Sequence, residues 1–280
     1  MHTTFKLEVK NMHIGEEISN IMNEANSILK SKTYEEAFEW AKDTINQFPN
    51  CESLIWQIAV LFDGWRQIHD IPYMEKYDTY IEDCYVRSLN SKDEDIKRSA
   101  ADSLFGLYVR KEQYEKAEEC LMYYSKNDPE RKRKQAVIFS KTNRVNEAYK
   151  TYEELLFSGY QMMSMVMNNI YILAMKEGNK EKAHMLIKKQ KELAHLFEMG
   201  RYHEVSCGLE LATLEKDVDA TIEIMEQMLE SIDKITEFSS SKLYEHMEFK
   251  EVSKDLLKDM KQNLILCFRD EETYNYMKNN

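Results

Sequence analysis

The chain has 280 residues, 43% of them hydrophobic and 31% charged, with only 7 glycines and 3 prolines. That is enough apolar matter for a sizeable core and too little turn chemistry for an all-β protein, so an all-α fold is expected. A net charge of -12 repels a phosphate backbone, and the chain carries no long uncharged apolar run, which argues against direct nucleic-acid binding, a membrane span and a signal peptide. A cytoplasmic protein is the expectation.

From residue 16 onward the chain reads as helical hairpins. The first four-residue helix start is Tyr34, Glu35, Glu36 and Ala37, and Pro49 ends that helix because proline cannot continue one. A longer hairpin from about Glu52 to Asn90 follows, with a linker around Asp70, Ile71 and Pro72. Trp56, Trp65, Tyr73, Tyr77, Tyr80 and Tyr85 make it the least repeat-like stretch and a second choice for a specific contact. The start signal returns at Tyr114 to Ala117, at Val145 to Ala148 and at Lys180 to Ala183, and Asp217 to Ala220 continues the series. Asp128, Pro129 and Glu130 read as an N-cap, a first-turn proline and an acid at the positive end of the dipole. Gly159, Gly178 and Gly200 are read as further joints. Two helices near Val252 to Phe268 and Asp270 to Met277 close the chain as caps.

Ala117, Ala148, Ala183 and Ala220 follow one another at 31 to 37 residues. A small residue at the head of the second helix lets it cross the first closely, so these alanines are read as packing positions. Leu104 and Tyr108 supply the large first-helix positions before Ala117.

This pattern resembles the tetratricopeptide repeat family, which places an alanine at the head of the second helix and a proline at its end. The resemblance implies a right-handed α-solenoid of about six hairpins over residues 16–238, with an N-terminal extension at 1–15 and capping helices at 239–280. The segment Phe48 to Ala59 and the segment Ala174 to Ala183 further resemble the carboxy-terminal regions of Xre-type helix-turn-helix regulators, although no helix-turn-helix pattern precedes Glu16. That likeness implies a sensory or assembly module that binds a peptide or protein in a concave groove and can form a homodimer.

By phase with the family, the groove-facing positions are Asn26, Gln57, Asp102, Arg133, Asn168 and Tyr202, with Arg110 and Lys176 as further contacts for a peptide carboxylate. An asparagine there would clamp an extended backbone, since an amide both donates and accepts. The bland alternative for all of them is solvated helix surface. The run Arg131 to Lys134 is the densest basic cluster, but four consecutive helical residues point in different directions, and solvation is the expected role.

His203 and Cys207 form at most half a metal site, no cofactor motif is present, and the five cysteines are read as reduced core residues. The methionines at 162, 163, 165 and 167, and at 225 and 228, are expected to fill the core, with a plastic binding surface as the alternative. Neither a phosphate-cradling glycine loop nor a nucleophile elbow nor an HExxH helix occurs, so the chain is not expected to be an enzyme. A binding module leads, a purely structural protein scaffold is the alternative, and an enzyme on a helical scaffold ranks last.

Overall fold

A computed structural model describes residues 2–71 and 75–278, with side chains from residue 15 on. Among the described residues the secondary structure is α-helix and short 3-10 helix without strand, and no helix is long and apolar enough to cross a membrane. Pro72 and Tyr73 lie outside the described residues. The chain divides into two units, residues 1–142 and 143–280.

The first unit contains α1 (His2–Ser31), α2 (Tyr34–Gln47), α3 (Glu52–Ile68), α4 (Glu75–Ser88), α5 (Glu94–Arg110), α6 (Tyr114–Glu119) and α7 (Pro129–Lys141). Each helix packs on the next, and in addition α1 packs on α3 and α3 on α5. The starts are written locally. Thr33 and Glu36 close a capping box before α2, where hydrogen bonds from the Thr33 hydroxyl and backbone hold the Glu36 carboxyl below its ordinary range. Asp93 caps α5, and Asp128 caps α7 with Pro129 in its first turn.

Ala37 and Ala117 are fully buried where helices cross. Around Ala37 the rings of Tyr34, Phe38, Phe62 and Tyr77 pack edge to face, with centroids 4.7 Å apart for Phe38 and Tyr77 and 4.9 Å for Tyr34 and Tyr77. Tyr77 and Tyr85 are therefore core, and Trp56 donates from Nε1 to Ser103 Oγ at 3.1 Å. Tyr77 and Tyr85 thus help hold the unit together, while Trp56, Trp65 and Tyr80 are half-buried.

The second unit departs further from the expected hairpins. Its first helix, α8 (Val145–Lys176), runs for 32 residues straight through Gly159. A glycine inside a helix costs about 1 kcal/mol relative to alanine, which neighbouring turns can carry, whereas a proline would have stopped the helix. The expected joint there is corrected: two helices have fused into one. Gly178 and Gly200 do mark joints, with φ of +70° and +89°.

After α9 (Lys180–Leu196) the chain breaks into α10 (Arg201–Ser206) and α11 (Leu209–Glu215) before α12 (Val218–Ser231). Asp217 caps α12, but the fully buried side chain there is Thr221, and Ala220 is only half-buried. Of the two expected closing helices, α13 (Lys254–Phe268) forms, while 270–277 is turn followed by a 3-10 helix at Asn275–Met277.

The core of the second unit has two parts. One joins Tyr171, Ala174, Ala183, Leu186, Ile187 and Leu211 between α8 and its neighbours. The other gathers Tyr160, Phe197, Met199 and Tyr244, where the Tyr244 hydroxyl donates to the Phe197 carbonyl at 3.0 Å and burial pushes its pKa up to about 12. The segment between α12 and α13 is pinned to α8 by buried Glu153, which accepts from the His246 backbone at 2.7 Å and lies 2.6 Å from its Nδ1.

Met225 and Met228 are core, as expected, but Met162, Met163 and Met165 are exposed. All five cysteines are free; Cys84 and Cys120 are buried, with burial pushing their thiols up to about 12 and about 11, whereas Cys267 is exposed and is no core residue.

Candidate functional site

Within the first unit, the C-terminal turns of α3 and α5 and the start of α4 surround a cleft of about 620 Å³. Its lining is mostly charged: Asp63, Arg66, Asp70 and Asp78 face Arg110 and Lys111, with Gln113 beyond α5. Both helices deliver basic residues in their last turns, Arg66 on α3 and Arg110 on α5, where the helix dipole favours a cation.

Two buried acids order these cations. Asp63 accepts from Arg110 Nη2 at 2.6 Å, from Gln67 at 3.1 Å and from the Tyr85 hydroxyl at 3.4 Å. Burial, assisted by the Asp63 charge, raises the Tyr85 pKa, so its hydroxyl stays a donor. Asp78 pairs with Arg66, Oδ1 to Nη1 at 2.5 Å, with both side chains almost enclosed.

Arg66 Nη1 is thus compensated by the Asp78 carboxylate, whereas among the described residues Gln113 Oε1 is a buried acceptor without a hydrogen-bond partner. A buried polar atom left unsatisfied costs on the order of 1–3 kcal/mol, so an incoming donor that reaches Gln113 is favoured at this cleft.

Beside the cleft, Glu82 on α4 collects Lys111 at 3.1 Å, Lys116 at 3.2 Å and the Tyr108 hydroxyl at 3.1 Å. Burial alone would raise the Glu82 pKa, but the hydrogen bonds from both lysines and Tyr108 outweigh it and hold the carboxyl below its ordinary value of 4.5.

Of the eight sequence candidates, Arg110 lines this cleft and the other seven do not. Gln57 donates to Ser53 within α3, and Asn26 is half-buried on α1. Arg133 forks onto Glu130 of its own helix at 2.8 and 3.0 Å. Asn168 and Lys176 are exposed on α8, and Tyr202 is half-buried on α10 with its pKa raised by desolvation. His203 Nε2 donates to the Ile235 carbonyl at 2.9 Å, and Cys207 to the Glu204 carbonyl at 3.2 Å, which gives each a structural role. Among the described residues, no group of three or more metal-ligating side chains comes together.

The basic run is not simply solvated. Arg131 donates to the carbonyls of Leu121 and Tyr124 at 2.6 and 3.1 Å, closing the loop before α7. Lys134 is 2% exposed, paired with Asp102, with its ammonium 4.3 Å from the centre of the Phe105 ring. Asp102, a groove candidate, is occupied by that ammonium and by the Tyr124 hydroxyl at 3.1 Å.

The residues that sequence reasoning missed are Asp63, Arg66, Asp78 and Gln113. One signal was present: Asp63 stands four residues after Ala59 and next to Phe62, so it falls inside the apolar stripe of α3. A charge in such a stripe must be paired. Comparison with protein-family models, with curated proteins and with solved structures finds no match to this chain.

Proposed function

We propose that the chain is a tetratricopeptide-type binding module that takes a peptide or a protein segment, and that it serves as the sensory or assembly part of an Xre-type regulator system. The repeat assignment rests on the recurring helix starts together with the packing of α1 on α3 and α3 on α5 in the first unit, the contact order of stacked hairpins. The link to a regulator rests on the sequence resemblance alone.

The observation that carries the binding reading is one open cleft that brings the exposed Arg110 guanidinium beside the unsatisfied Gln113 Oε1. A peptide supplies the complement: a carboxylate or carbonyl for Arg110, and a backbone N–H for Gln113. Arg110 is 40% exposed and spends one nitrogen on Asp63, so the rest of its fork remains available to a ligand.

The test is native mass spectrometry of the protein captured from its own host, side by side with Arg110→Gln. A bound peptide or protein segment on the wild type, lost from Arg110→Gln while circular dichroism shows the fold retained, is the expected result. A bare wild-type protein, or an adduct that survives the substitution, contradicts the reading. Asn168→Ala should leave the adduct intact, because Asn168 lies in the other unit. The alternative of a structural scaffold without a ligand switch is favoured by a different observation, the exposed apolar side of α8.

A further inference from the structure

From Val145 to Leu173, α8 carries an apolar residue or a glycine at alternating steps of four and three residues, through Tyr149, Tyr152, Leu156, Gly159, Met163, Val166 and Ile170. This is the 3.5-residue period of a coiled-coil seam sustained over four heptads, where a helix packing only on its own globular core would follow 3.6. The seam runs beside the side that faces the core of its own unit, which α8 contacts through buried Ala148, Glu153, Tyr160, Tyr171 and Ala174; of the seam residues Ile170 packs against that core and Tyr149 stacks on His246. Seven of the nine seam residues are 38% to 57% exposed; the others are Gly159 and the half-buried Ile170.

With Met162 beside it, the seam offers on the order of 800 Å² of accessible side-chain surface, more than the 300–600 Å² patch of an ordinary monomer and about what one partner contributes to a standard interface.

We infer that this face is a self-association surface on which α8 of a second copy packs antiparallel, about a two-fold axis between Phe157 and Ser158. The side-chain volumes select that orientation. In antiparallel register Leu156 meets Gly159 of the other copy, Tyr152 meets Met163, Tyr149 meets Val166 and Val145 meets Ile170, so large residues stand opposite smaller or adaptable ones. A parallel pairing would set Gly159 against Gly159 and Tyr152 against Tyr152, a void beside a collision. A lipid surface fits poorly: a net charge of -12 is repelled by anionic headgroups. The inference stands independently of the cleft in the first unit.

Sedimentation equilibrium of the full chain across the micromolar range tests it, with circular dichroism to confirm folding. The wild type should approach twice the 33.4 kDa chain mass. Met163→Glu and Val166→Lys, both on exposed positions, should raise the dimer dissociation constant about tenfold or more. Met165→Glu, at a methionine 60% exposed but off the seam, should leave it unchanged. Gly159→Leu should also weaken the dimer, because it collides with Leu156 in the antiparallel register. A wild type that stays monomeric, or a dimer indifferent to both seam charges, overturns the surface; a dimer tightened by Gly159→Leu overturns the antiparallel pairing.

Discussion

The two units begin their helices with the same local signals and finish them differently. In the first, α2 stops before Pro49 and α7 starts at Pro129, so helices of ordinary length fold back on one another and bury both their small and their aromatic residues. In the second, the place where a joint was expected holds Gly159 instead of proline, and α8 continues for about 48 Å with an apolar side turned outward. Caps mark the starts of α2, α9 and α12, while α6 and α8 begin without one; hairpins are encoded by stops. A glycine is a stop only where the backbone takes a positive φ, as at Gly178 and Gly200.

Substitutions in each unit probe this difference. The largest effect is expected in the first unit, where Asp78→Ala leaves the Arg66 guanidinium enclosed without its carboxylate. Breaking such a buried pair costs about 3–5 kcal/mol, visible as a lowered urea midpoint. A loss below 1 kcal/mol would mean that Arg66 relaxes to solvent and that the cleft is not rigid.

Next comes Ala117→Leu, which overpacks a fully buried crossing and should cost about 1–3 kcal/mol; a neutral result would undermine the assignment of the alanines as close-packing positions.

Smaller and opposite in sign, Gly159→Ala should stabilise the second unit by up to about 1 kcal/mol, because no atom lies within 4 Å of the added methyl and the helix gains propensity. A joint at Gly159 would make the same change destabilising.

The smallest effect is in the acid limb of stability. Glu82 titrates lower in the folded chain than its ordinary 4.5, so its contribution is complete above that value and is lost as pH falls through the folded pKa. Glu82→Gln should therefore flatten the loss of stability below about pH 4.5. An unchanged acid limb would assign the acid sensitivity to other carboxylates.

Much of the fold was legible because its signals are local. The helix starts at Tyr34, Tyr114, Val145, Lys180 and Val218 fall where the sequence pattern places them, since each depends on a few consecutive residues. What was not legible depends on neighbours distant in sequence. Whether Gly159 joins or interrupts is decided by packing on both sides, and Asp63 reads as surface until Tyr85 and Arg110 are brought to it. Of the individually named groove residues only Arg110 lines the candidate site, although the long hairpin expected as a second contact segment supplies most of its lining. The other candidates came from a family phase that places side chains on a common groove, while this chain spends Asp102 and Arg133 on its own ion pairs. The charge of Lys134 likewise hid a core residue, because four basic residues in a row read as solvated surface.

The central claim, that α8 is one uninterrupted helix with an outward seam, is tested most directly by amide hydrogen exchange resolved across residues 145–176. The amides around Gly159 should exchange as slowly as those one or two turns to either side, and protection should rise along the whole helix with protein concentration. A band of rapid exchange at 158–162 that persists at high concentration would contradict it, dividing α8 into two helices and restoring the hairpin.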